Sequence, residues 1–381
     1  MQIYSSNDLY NKHVQDEISE AFSRKIISKP TYDLVLSTHT SNLYTPNYFI
    51  RIALAVLTIV SITFSGLLLV MVFQASVIPM LIIFALTTYV ALELLVLKKM
   101  YYNAGVDNTL MFFSAVFIAS AFGVDQYRGH DLVVSGIAML ACGYLSIRFT
   151  DAFMAVLSYV ALLSCAFLLY TSLGSVAKST APFMLMLISA FVYFSIVRLI
   201  KKDKLLFYQK CFTWIKQLTL ITFYAAANVF GKELIPSMFD LNLPITTSPF
   251  LGSLFWTLTV VIPFAYLAYG IRKKDLMFIR TGLALIGVTV LTVRYFFAVV
   301  PVEIAMLVAG LLLTSLSYAL IKYLKTPKKG FSFEKNPVTK KERIDLESLI
   351  ISQVSGPKAQ PKAAVEFGGG SFGGGGAGSN Y

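Results

Sequence analysis

The chain has 381 residues, of which 56% are apolar and only 14% charged, with a mean hydropathy of +0.70 and a formal net charge of +12. Soluble domains carry about a quarter charged residues, so a soluble globular protein is excluded. The apolar residues fall in repeated blocks, each long enough for the ~20 residues of helix that cross a bilayer, so the chain reads as an all-α polytopic membrane protein.

Residues 1–49 form a polar N-terminal segment. They hold no short apolar core followed by a small-residue cleavage site, so the first span is expected to act as its own insertion signal. Within them Val14, Ile18, Phe22 and Ile26 recur every four residues, which predicts a helix with one apolar stripe. Ser28-Lys29-Pro30 interrupts it, and a second short helix is predicted through "TYDLVLS".

Ten spans follow within 50–324, at about 50–73, 76–97, 104–123, 131–147, 151–172, 180–199, 211–230, 249–271, 276–295 and 301–324. In lipid each must be helical, because only a helix satisfies its own backbone amides there. Loop charge then orients them. With the N-terminus inside, the cytoplasmic connections hold Lys98 and Lys99, Arg148, Arg198 with Lys201, Lys202 and Lys204, and Arg272 with Lys273 and Lys274. The opposite connections hold Arg128, Lys178 and Lys232, with Arg294 at the end of a span. Basic residues resist translocation, so this alternation predicts ten spans with both termini cytoplasmic (N-in/C-in) in a bacterial cytoplasmic (inner) membrane.

After the bundle comes a basic segment with a linker, 325–365. Its first part, "KTPKKGFSFEKNPVTKKER", places seven Lys or Arg among 19 residues at 325–343. Each contributes about 1 kcal/mol near an anionic surface, so this stretch is expected to favour anionic lipid. Thr339 and Glu342 have capping-box spacing, which predicts a short amphipathic helix in "KKERIDLESLIIS". Residues 366–381 form a flexible Gly-rich tail, since glycine at that density cannot repay its ordering entropy. The tail reads either as a solvated tether or as a peptide whose Phe367, Phe372 and Tyr381 dock on a cytoplasmic protein partner.

Ionisable residues inside spans are the candidate functional groups, because lipid makes them costly. Glu93 lies about a turn and a half before Lys98, close enough to the interface to snorkel or find a basic partner. Arg280 lies as far inside span nine, and its stem can reach back to the headgroups. Arg294 and Glu303 flank the tight turn between spans nine and ten, where a salt bridge would lock the hairpin. Asp107 and Asp151 sit at span starts, where carboxylates favour a helix N-terminus. Midplane Ser61, Thr63, Ser65 and Thr289 are expected to bond their own helix backbones. Ala115, Ala119 and Gly123, and Ala305 with Ala309, form small-residue ladders that let helices approach closely.

Catalytic chemistry has little support. The histidines His13, His39 and His130 are scattered, and no P-loop, H-E-x-x-H or Gly-x-Ser-x-Gly motif occurs. His130 among Asp125 and Asp131 offers too few ligands for a metal site. Cys142, Cys165 and Cys211 read as small apolar residues without disulfide or metal spacing. No cofactor is implied, and positive-inside loops already explain the +12 charge, so nucleic acid is not implied either.

The stretch 292–324, "TVRYFFAVVPVEIAMLVAGLLLTSLSYALIKYL", resembles the closing hairpin of uncharacterised bacterial multi-pass membrane proteins in Arg294-Tyr295-Phe296 and the Gly310-Leu-Leu-Leu block. Those proteins also carry a small helical cytoplasmic segment ahead of many spans, and the resemblance implies no activity. The tail "GGGSFGGGGAGSNY" resembles the Gly-rich endings of bacterial TPM-domain membrane proteins, with Tyr381 where their tails end in tryptophan and without the TPM domain itself. The sequence thus points to a non-enzymatic membrane component or scaffold that engages a cytoplasmic partner through its terminal segments. The alternative is a secondary transporter of a small solute with a five-plus-five span layout, although the second half shows no echo of the first.

Overall fold

The structure is a computed structural model that describes residues 2–23, 26–73, 76–123, 130–200, 203–229 and 249–297, with single helical positions at 307, 310, 311, 314, 315, 318 and 322. The chain divides into two units, 1–334 and 335–381. The second unit lies outside the described residues, as do the basic stretch 325–343 and, apart from those single positions, the tenth predicted span.

The described residues are helical throughout. α1 (Ser6–Ser23) and α2 (Lys29–Thr38) form the N-terminal segment. α3 (Tyr48–Phe73), α4 (Val77–Lys99), α5 (Val106–Ala121), α6 (His130–Phe149), α7 (Ala152–Thr171), α8 (Ser175–Leu199), α9 (Gln209–Ala227), α10 (Pro249–Lys273) and α11 (Leu276–Phe296) form the bundle, with a 3-10 turn (Asp203–Tyr208) before α9. Seven of these (α3, α4, α6, α7, α8, α10 and α11) are long and apolar enough to cross a membrane. The protein is therefore a multi-pass helical membrane protein. α5 is apolar but only 16 residues long. α9, with Lys210, Lys216 and Gln217 in its first half, is not among the seven. Both occupy positions where the sequence predicts spans.

What surrounds the helices decides the solvent. In α3 none of the most apolar window is buried in the protein, and side chains such as Phe64 and Leu68 stand outward. An apolar rod of that length with none of these residues fully buried is stable in lipid and not in water. The packed interior is modest by comparison. Leu92, Val96, Met111, Phe149 and Met154 form one core between α4, α5, α6 and α7. Tyr224, Ala227, Ile262 and Leu285 form another where α9 meets α10 and α11.

The helices pack as four antiparallel hairpins, α4–α5, α6–α7, α8–α9 and α10–α11. α9 also touches α7, α10 and α11. Three of the four hairpin turns are closed by left-handed residues: Met100 (φ 51°) and Asn103 (φ 52°) between α4 and α5, Thr150 (φ 53°) between α6 and α7, and Lys274 (φ 57°) between α10 and α11. Such a residue costs about 1 kcal/mol when it is not glycine, and the next residue repays it locally. Asp151 caps α7 by accepting from the Met154 amide (2.7 Å), and Asp275 caps α11 by accepting from the Met277 amide (3.0 Å). The two turns share a pattern, Ile147-Arg148-Phe149-Thr150-Asp151 and Ile271-Arg272-Lys273-Lys274-Asp275. The likeness is confined to these two turns.

Cross-links hold these turns at one end of the bundle. The Tyr208 hydroxyl donates to the Ile147 carbonyl (2.7 Å), the Cys211 thiol reaches the Thr150 carbonyl (3.7 Å), and Lys216 pairs with Asp275 (3.7 Å). Lys98, Lys99, Arg148, Arg198, Arg272 and Lys273 end their helices there. The N-terminal segment docks on this basic end. Tyr44 exchanges backbone hydrogen bonds with Met100 (2.8 Å) and Tyr102 (3.1 Å), Ile3 donates to the Arg148 carbonyl (3.1 Å), and the Tyr4 hydroxyl donates to the Tyr101 carbonyl (2.8 Å).

Gly105, at φ 94°, sits where α5 starts against α3, and an added Cβ would collide with the Arg51 carbonyl. Gly105→Ala should lower stability by at least about 2 kcal/mol, combining left-handed strain with a backbone clash. Gly136→Ala, in α6 with open space around it, should leave stability unchanged or raise it by up to about 1 kcal/mol. Thermal unfolding in detergent measures both, and equal effects would contradict this packing.

Candidate functional site

The basic end contains a cleft of about 610 Å³. It is assembled from segments distant in sequence. Thr45, Pro46 and Arg51 come from the start of α3, Asn103 and Asn108 from the start of α5, Thr150 to Val156 from the start of α7, Lys210 and Trp214 from the start of α9, and Lys12 and Asp16 from α1. Four helix N-termini thus surround it, each with backbone N–H groups that lack an intrahelical partner.

Its charges are arranged unequally. Asp16 bridges two lysines, Lys12 at 3.0 Å and Lys210 at 2.9 Å, and so ties α1 to α9. Burial pushes the Asp16 carboxyl up, but hydrogen bonds from Lys210 and Lys12 outweigh it and hold the group below its ordinary value of 3.8. Arg51 has no such partner. Its guanidinium donates to the Asn103 side-chain oxygen (3.3 Å) and, with the Asn108 amide turned to satisfy both neighbours, to the Asn108 oxygen (2.7 Å). The other side of that amide donates to Asp107 (3.2 Å), whose carboxylate also accepts from the Ala104 backbone (2.8 Å). Asp107 and Asp151 thus serve helix starts, as their positions imply. Among the described residues no carboxylate lies within ion-pair distance of Arg51.

The residues singled out from sequence lie elsewhere. Glu93, on α4, meets Arg148 on α6 through two hydrogen bonds, Nε to Oε1 (2.5 Å) and Nη2 to Oε2 (3.0 Å). The Tyr89 hydroxyl donates to the same carboxylate and contacts Tyr144 (2.8 Å), so the cluster clamps one hairpin to the next. Arg280 is exposed on α11, and Arg294 is half-buried near its end. Glu303, Phe367, Phe372, Tyr381, the loop 124–129 and the His130 side chain lie outside the described residues. Neither Glu93, Arg280 nor Arg294 lines the cleft. Among the described residues no three His, Cys, Asp or Glu side chains group to hold a metal ion.

Ser61, Thr63 and Ser65 bond their own helix backbones, as expected within a span. Thr289 does the same and more. Its hydroxyl also meets the Tyr224 hydroxyl (2.8 Å), which accepts from Asn228 (2.8 Å), and Asn228 reaches Thr292 (3.2 Å). This buried polar ladder joins α9 to α11 and acts as interhelical glue.

The chain was compared with protein-family models, with curated proteins and with solved structures, and none matches. The sequence reading missed the cleft because its residues share no local pattern. The one available signal was the pair Arg51 and Lys210, basic residues at the starts of two spans.

Two predictions follow from these contacts. Glu93→Gln leaves Arg148 without its carboxylate and should cost about 1–3 kcal/mol, while Glu93→Gln with Arg148→Gln should cost less than the sum of the single changes. A double-mutant cycle by thermal unfolding checks this. Asp16 is more acidic when folded than unfolded. Its contribution is therefore complete above pH 3.8 and disappears as pH falls through its lower folded value. Hydrogen exchange in α1 should rise over that acidic window, and Asp16→Asn should abolish the change.

Proposed function

We propose that the protein is a non-enzymatic component of a bacterial cytoplasmic membrane that crosses it ten times with both termini inside. Its role in this reading is to hold a cytoplasmic partner at its basic face through the terminal segments. One observation carries the reading: the N-terminal segment is tied to the basic ends of the hairpins by backbone hydrogen bonds at Ile3 and Tyr44, and α1 is tied to α9 by the Asp16–Lys210 bridge. A segment merely leading into the first span needs no such anchorage. In this reading the basic stretch at 325–343 favours anionic lipid and the aromatic-dotted tail, with Phe367, Phe372 and Tyr381, engages the partner.

The orientation draws support from the six basic residues that end α4, α6, α8 and α10 at one end of the bundle. The alternative, a secondary transporter with a five-plus-five layout, draws less. Its inverted halves would place the substrate site near the bilayer midplane. The cleft lies at a helix-end surface without Glu93 or Arg280.

Deleting 366–381 should leave the protein inserted and folded while removing one or more proteins that co-purify with the full chain after in-cell cross-linking. An unchanged set of cross-linked proteins would contradict the reading.

A further inference from the structure

The cations of the cleft outnumber its carboxylates, and one of these, Asp151, acts on Arg51 only from beyond ion-pair distance. Lys12, Arg51 and Lys210 line it against Asp16 and Asp151. Asp16 is engaged by both lysines, and Asp151 is buried and turned to the Met154 amide. Arg51 is left facing two neutral amide oxygens, with its fork held in a fixed orientation. A planar, pre-oriented guanidinium without a carboxylate suits a phosphate or carboxylate. The surrounding helix N-termini add positive potential of the same sign.

We propose that this cleft holds the phosphate of an anionic phospholipid headgroup, with Arg51 as its principal cation. The position favours lipid over a soluble phosphate. The cleft lies at the starts of α3 and α7, which are membrane spans, so it sits at headgroup level. Phe153 and Trp214 line it from the first turn of α7 and the second turn of α9 and are 51% and 58% exposed. Aromatic rings at this depth belong to the interface, where one side contacts acyl chains and the other the headgroups. A cleft of about 610 Å³ also far exceeds a bare phosphate and accommodates a glycerophosphate headgroup. The site requires no cytoplasmic partner.

The test uses the purified full chain in detergent, titrated with phosphatidylglycerol or phosphatidylcholine and read by native mass spectrometry. Arg51→Gln should weaken phosphatidylglycerol binding about fivefold and leave phosphatidylcholine unchanged. Asp16→Asn frees both lysines and should tighten phosphatidylglycerol by a similar factor. The opposite signs separate a binding effect from structural damage, which would weaken both variants, and the stretch 325–343 contributes equally to all of them. Excess inorganic phosphate should not displace the lipid. Unchanged binding in Arg51→Gln, a shift in the same direction for both variants, or displacement of lipid by inorganic phosphate would each overturn the proposal.

Discussion

The structure depends on one constraint: its helices present more apolar side chain to their surroundings than to one another. α3 is the extreme case, with no residue of its most apolar window fully buried. In water such helices would have to collapse onto each other. In lipid the hydrophobic effect between helices vanishes, and association depends on close approach, buried hydrogen bonds and turn geometry. Each of these recurs in the bundle. Gly270 and Gly282 bring α10 and α11 to backbone contact distance. The Tyr224–Asn228–Thr289 ladder and the Tyr159–Ser189–Thr222 cluster supply the hydrogen bonds.

Turn geometry explains why the basic residues gather at one end. A left-handed residue followed directly by an aspartate cap allows α6 to reverse into α7, and α10 into α11, across only two residues. Both turns follow an arginine that closes the preceding helix, where a cation suits the C-terminal dipole. The same residues therefore cap the helices and set the loop charge that orients them. The N-terminal segment then has a single surface on which polar backbone and side chains can be satisfied, and it docks there.

The elements that local chemistry determines were legible in the sequence. Nine predicted spans fall on helices α3 to α11, and seven of these are long and apolar enough to cross a membrane, where a run of apolar residues has no alternative to a helix. The predicted interruption at Ser28-Lys29-Pro30 falls differently: α1 ends at Ser23, and Lys29 and Pro30 open α2 after Ser28, since a helix's first turn tolerates proline's missing donor. The hydroxyls of Ser61, Thr63 and Ser65 bond within their own helices. The site was not legible. Asp16 and Lys210 lie in different helices far apart in sequence, and their meeting depends on how the N-terminal segment docks. Glu93 pointed to a basic partner near the interface, yet nothing local could name Arg148 over Lys98. The likeness of the α6–α7 and α10–α11 turns was hidden because it resides in backbone angles and an aspartate cap.

The central claim is that the end bearing the hairpin turns, α1 and α2 faces the cytoplasm. Single cysteines at Thr31 in α2 and at Leu173 in the exposed turn after α7, each in a cysteine-free background, test it in intact cells with a membrane-impermeant maleimide. The account predicts that Thr31→Cys is protected until the membrane is permeabilised and that Leu173→Cys reacts at once. Labelling of Thr31→Cys from outside, with Leu173→Cys protected, would contradict it.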